Sequence, residues 1–83
     1  MELDPAQSRA ARGLIEWSQT QLANAAGISL STVRDFEKRR RNPLPENLTS
    51  IRRALEKVGV IFLDPHGEEG PGVRLKKRPV RKK

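Results

Sequence analysis

The stretch between Ser18 and Glu37 constrains the fold more tightly than any other part of the chain. Ser18 has the side chain of a helix cap, and Gln21, three residues on, is placed to reach back and complete a capping box. Leu22, Ala23 and Ala26 then give an apolar stripe about two turns long. Gly27 supplies the left-handed residue that ends such a helix. Ser29 is a second cap only two residues later, and Val33 and Phe36 carry the next stripe, with Thr32 and Arg34 facing elsewhere. Two helices across so tight a turn cross steeply and bring their backbones close, so a side chain as small as that of Ala23 belongs at the crossing. The pattern is a helix-turn-helix.

Counted from Gln19, a small residue stands fifth (Ala23), a glycine ninth (Gly27), an aliphatic residue fifteenth (Val33) and an apolar residue eighteenth (Phe36). This order resembles the Cro/C1-type helix-turn-helix family of bacterial and phage transcription regulators, also called the xenobiotic-response-element-like family. The likeness extends through Arg9, Arg12 and Trp17 before the motif and Pro43, Leu48, Ile51, Ala54 and Leu55 after it, over roughly residues 8 to 58. It implies a mainly α, four-helix, lambda-repressor-like domain that binds double-stranded DNA.

Composition narrows the alternatives. A chain of 83 residues is one small domain, near the size at which a single core only just suffices, so help from a partner chain is reasonable. With no cysteine there is neither a disulfide framework nor a thiolate site, and one histidine makes no metal site, so no cofactor is expected. Enzyme chemistry has no constellation to stand on. The longest apolar run, residues 60–63, is too short to cross a bilayer, and the chain reads as soluble, unprocessed and cytoplasmic, in a bacterial or phage setting. Net charge is +7, yet residues 1–73 carry 10 basic and 10 acidic side chains. All seven excess charges fall at Arg74, Lys76, Lys77, Arg78, Arg81, Lys82 and Lys83, a tail that attracts phosphate without reading sequence or serves only as a solubilising end.

Taken in order, Asp4 and Pro5 are a cap and a first helical residue, and helix 1 is expected over residues 5–16 with Ala10, Leu14 and Trp17 inward. Helix 3, residues 30 to 36 or 37, is where sequence would be read. With Val33 and Phe36 inward, its outward face is Leu30, Ser31, Arg34, Asp35 and Lys38. The resemblance puts Leu30, Ser31 and Asp35 at base-reading places with Arg34 beside them. Chemistry suggests Leu30 against a thymine methyl, Ser31 to either edge, Arg34 to guanine or phosphate, and Asp35 to a cytosine amino group or simply to Arg34 and Lys38. Ser29 and Thr32, at the helix start, complete that face of the candidate set. The resemblance also implies a phosphate contact for Gln19, at a helix N-terminus that itself favours anions, and a bidentate pair between Arg12 and Glu37 that serves folding.

After Glu37 come Lys38, Arg39, Arg40 and Arg41, of which two or three are expected to touch phosphates. The family normally has glycine where Arg39 stands, and a left-handed backbone there would cost arginine about 1 kcal/mol. Helix 4 is expected from residue 45 or 46 to 58, with Leu48, Ile51, Leu55 and Val58 inward and Arg52, Arg53, Glu56 and Lys57 outward. Residues 60–76 then read as a β-hairpin. The division is therefore a helix-turn-helix domain at 1–59, a hairpin at 60–76 that is a candidate dimerisation element, and a basic flexible tail at 77–83. The expected function is a sequence-specific repressor binding an inverted repeat as a homodimer. The alternatives are an antitoxin-type autoregulator that also grips a small protein partner, and an interaction module that has lost DNA.

Overall fold

The computed structural model describes residues 2–77. Four helices, α1 (Pro5–Ile15), α2 (Gln19–Ala26), α3 (Leu30–Glu37) and α4 (Pro45–Lys57), precede an antiparallel hairpin of β1 (Val60–Leu63) and β2 (Gly72–Leu75). The tail expected at 77–83 lies, from residue 78 on, outside the described residues.

The capping box expected at α2 forms, and α1 has one as well. Asp4 Oδ2 accepts from the Ala6 amide at 2.8 Å while Gln7 Oε1 accepts from the Asp4 amide at 3.0 Å. Ser18 Oγ accepts from the Gln21 amide at 3.0 Å and Gln21 Oε1 from the Ser18 amide at 2.8 Å. Two orphan donors are satisfied at each helix start, which fixes where α1 and α2 begin. α2 ends at Gly27 (φ 72°, ψ 33°), and the Ile28 amide donates back to the Ala23 carbonyl at 3.1 Å, a glycine-closed C-terminus.

The core gathers Leu22 and Ala23 from α2, Val33 and Phe36 from α3, Ile51, Ala54 and Leu55 from α4, Ala11 from α1, Leu3 from the N-terminal segment, and Val60 and Phe62 from β1. α1 presents a different face from the one expected. Ala10 and Leu14 are exposed, and Gln7, Ser8 and Ala11 point inward, with Ile15 half-buried. Polar residues win that face because each has a partner across the fold. Gln7 Nε2 donates to the carbonyls of Gly72 (2.9 Å) and Leu63 (3.3 Å), and Ser8 Oγ donates to Glu37. Trp17, beyond the end of α1, packs half-buried against the core as expected. Val58 also departs from expectation. α4 stops at Lys57, so Val58 is its exposed C-cap and not part of the inward stripe.

The hairpin pairs Val60 with Leu75, Ile61 with Arg74, Phe62 with Val73 and Leu63 with Gly72. Alternation sends Val60 and Phe62 inward and leaves Ile61 and Leu63 half-buried. α1 lies against β2 and α4 against β1, so the fold's own helices cover one face of the sheet. Arg52, expected to face water, holds its guanidinium carbon over the Phe62 ring, 5.1 Å from the centroid, and its Nε donates to Glu56 at 3.0 Å.

Candidate nucleic-acid interface

The outward strip of α3 begins at its cap. Ser29 Oγ accepts from the Thr32 amide at 3.1 Å and lies 2.8 Å from Thr32 Oγ1 and 3.2 Å from Ser31 Oγ. Ser29 and Thr32 thus hold the helix start, and Ser31 is the exposed hydroxyl of the three on the helix itself. Arg34 is exposed one turn on. Asp35 is half-buried, and its carboxylate makes no ion pair among the described residues, so it orients neither Arg34 nor Lys38. Leu30 is not fully outward as expected. It is half-buried and packs against the core, because its position one turn before Val33 overlaps the inward stripe.

The end of α3 carries the cations. Arg39 has φ 60°, the left-handed value that glycine would take without strain. The Arg40 amide donates to the Asp35 carbonyl at 2.8 Å and the Arg39 amide to that of Phe36 at 3.0 Å, so the chain closes the helix as a glycine cap would. Lys38, Arg40 and Arg41 are exposed. Arg39 is exposed too, but it leans the other way, with Nη2 3.3 Å from Asp4 Oδ2.

One buried carboxylate fixes the strip in place. Glu37, 2% exposed, accepts from Arg12 Nη2 at 2.7 Å (Oε1), Arg12 Nε at 3.0 Å (Oε2), Ser8 Oγ at 2.6 Å (Oε2) and Gln19 Nε2 at 3.1 Å (Oε1). Its backbone carbonyl accepts from Arg9 Nη1, and Arg12 Nη1 donates to the Trp17 carbonyl at 3.0 Å. Burial alone pushes the carboxyl up, but the hydrogen bonds from Arg12, Ser8 and Gln19, with the Arg12 charge, outweigh it and hold Glu37 below the usual glutamate range. The Arg12–Glu37 pair expected to tie helix 1 to helix 3 is therefore present, and it reaches α2 as well. Gln19, expected at a phosphate, commits one N–H of its amide to Glu37 and sits half-buried at the α2 N-terminus.

Beside the strip runs a cleft of about 260 Å³ between Ser31, Thr32 and Asp35 on one side and Arg41, Asn42, Pro43, Leu44 and Asn47 on the other. Sequence reasoning passed over Asn42, Leu44 and Asn47. The signal for Leu44 was there, an apolar residue between two prolines where α4 needs a polar cap. It caps α4 without a side-chain hydrogen bond and stays 60% exposed. A larger concavity, about 500 Å³ among Leu3, Asp4, Phe36, Arg39 and several prolines, takes in none of Ser31, Arg34 or Asp35.

A capped helix with polar and cationic side chains outward, braced from behind by an ion pair to α1, has the shape and charge to enter a major groove. A family model for helix-turn-helix domains, that of the Cro/C1 type, matches residues 9–61. The chain belongs to the Cro/C1-type helix-turn-helix family. No curated protein matches it. As a member of this family it is a DNA-binding helix-turn-helix transcription regulator. The match ends within β1, so the rest of the hairpin, β2 included, lies past the family's common part. Among the described residues no helix is long and apolar enough to cross a membrane.

Proposed function

We propose that this regulator is a repressor, and that two copies bind an inverted repeat whose half-sites lie about one helical turn, roughly 34 Å, apart. The observation that carries the reading is the outward strip itself, with exposed Ser31 and Arg34, Asp35 in no ion pair among the described residues, and exposed Lys38, Arg40 and Arg41 directly after them. Ser31, Arg34 and Asp35 read base edges, Arg34 favouring guanine and Asp35 a cytosine amino group. Lys38, Arg40 and Arg41 hold phosphates, and the second N–H of the Gln19 amide does the same at the start of α2. Leu30 has its remaining surface for a thymine methyl. Arg39 joins the phosphate set only by leaving Asp4, an exposed pair worth little. The setting is a bacterial or phage cytoplasm.

Selection from random duplexes, repeated at two salt concentrations, tests this. A two-fold symmetric motif is expected, with log affinity falling against log salt by about 0.9 per phosphate neutralised. Ser31→Ala should relax preference at one base step, whereas Arg40→Ala should weaken all sequences alike and flatten the salt slope. Equal affinity for every duplex rejects the reading.

A further inference from the structure

Two of the three large apolar side chains most exposed among the described residues, Leu14 at 42% and Val58 at 43%, border one cleft where α1, α4 and β2 all finish. Half-buried Ile15 and Leu75 share it, and so does Glu16. Glu16 is doubly out of place within its own protomer. It holds a left-handed backbone (φ 60°, ψ 40°), which strains any residue with a Cβ, and it puts a negative charge at the negative end of α1. No cation pairs with it among the described residues. Lys57 precedes Val58 and Lys76 follows Leu75; both are exposed, and neither is in an ion pair among the described residues.

We infer that this cleft is where a second copy of the chain docks, about a two-fold axis that sets Leu14 against the partner's Val58 and Glu16 against the partner's Lys57. The inference rests on the proposed pairing of two copies on DNA and names the surface that pairs them. A second copy fits this surface because the surface carries both halves of its own complement. An acid lines the cleft at the end of α1, exposed bases stand at the ends of α4 and β2, and a two-fold makes each contact twice. The added cation also relieves the charge that α1 leaves unmet at Glu16. The hairpin takes part through Leu75 at its end, not through strand pairing along an edge. So few side chains make a small interface, hence a weak dimer that gains strength when both copies are held on one duplex.

Sedimentation equilibrium of the full chain without DNA, from low to high micromolar, reads the pairing directly. Wild type should associate, and Leu14→Glu and Val58→Asp should each weaken association at least tenfold with unchanged far-ultraviolet circular dichroism. Glu16→Lys and Lys57→Glu should each weaken it, and the double variant should recover most of the loss. Because the chain has no cysteine, Leu14→Cys protein mixed with Val58→Cys protein should yield a crosslinked pair on mild oxidation. A monomer at every concentration overturns the inference. So does a dimer indifferent to these changes but broken by Ile61→Glu, the result expected of pairing through the outer face of the sheet. A monomeric Leu14→Glu protein should still bind a half-site duplex. Loss of DNA binding by a dimeric wild type would instead reject the reading on which the inference rests.

Discussion

Glu37 is the residue on which the candidate interface hangs, since it ties α3 to α1 and α2 through donors on both. Replacing it with glutamine keeps the shape but leaves the Arg12 guanidinium, 19% exposed at its side chain, without a counter-charge. Breaking a buried pair from one side costs about 3 to 5 kcal/mol, and Arg12's remaining exposure points to the lower end. Urea unfolding of Glu37→Gln at neutral pH should therefore show a loss of about 3 kcal/mol. The pH dependence comes from the direction of the shift. A carboxyl held lower in the folded state than in the unfolded chain stabilises fully above the unfolded value, about 4.3, and loses that contribution as pH falls through its folded value. The gap between wild type and Glu37→Gln should close as pH drops below about 4. A constant gap down to about pH 2 would mean that the charge on Glu37 is not what holds the helices together. Arg39 gives the opposite sign. Its left-handed backbone costs an L-residue about 1 to 2 kcal/mol, partly offset by the greater freedom of glycine when unfolded and by the exposed pair to Asp4. Arg39→Gly should raise stability by about 0.5 to 1 kcal/mol in thermal melts.

Among the elements, α1 shows what sequence pattern can and cannot carry. Gly27, Ser18 with Gln21, and Asp4 with Pro5 were legible because capping is local, each residue being satisfied within three or four positions of itself. The inward face of α1 was not. Leu14 looked like core, yet it is 42% exposed, and the unassigned Gln7 takes the inward face at 2% exposed. What sets that face lies 56 and 65 residues away, the Leu63 and Gly72 carbonyls that Gln7 bonds. Leu30 was misplaced for a related reason, since a helix of two turns has too few positions to separate an inward from an outward row cleanly. Of the interface, the exposure of Ser31 and Arg34 was readable from where Val33 and Phe36 had to point, whereas the Asn42 to Asn47 wall of the cleft depends on how the connector folds back. Gln7 accordingly acts as a clip between α1 and both strands. Gln7→Ala leaves the Asp4 amide and two strand carbonyls short of a partner and should cost about 2 kcal/mol. Hydrogen exchange should show β2 amides losing protection more than those of α3, and uniform loss would mean the clip is only one bond among many.

At the scale of the whole molecule, the helices and the hairpin are not separate in their packing, although the sequence divides naturally at Gly59. Val60, 2% exposed, and Phe62, 9% exposed, belong to the same buried cluster as Leu22, Ile51 and Leu55. Burying a valine or phenylalanine side chain stabilises by about 1.5 to 3 kcal/mol each, and opening the space they fill adds a cavity cost. Together they represent about 5 kcal/mol, comparable with the whole stability of many small domains. A chain ending at Gly59 keeps every residue of α2, α3 and the turn between them, yet it should lack a cooperative thermal transition at neutral pH and fail to bind duplex DNA. A chain ending at Lys77 is the control. It retains both strands but drops Arg78, Arg81, Lys82 and Lys83. Its melting temperature should match that of the full chain, with any weakening of DNA binding uniform across sequences and largest at low salt, since those cations act through charge alone. If the shorter chain melted as sharply as the longer, β1 would be an ornament on a self-sufficient helical core. The position of Phe62 beneath Arg52 argues the reverse, because a strand that both fills the core and carries a helix side chain across its ring is held from two sides.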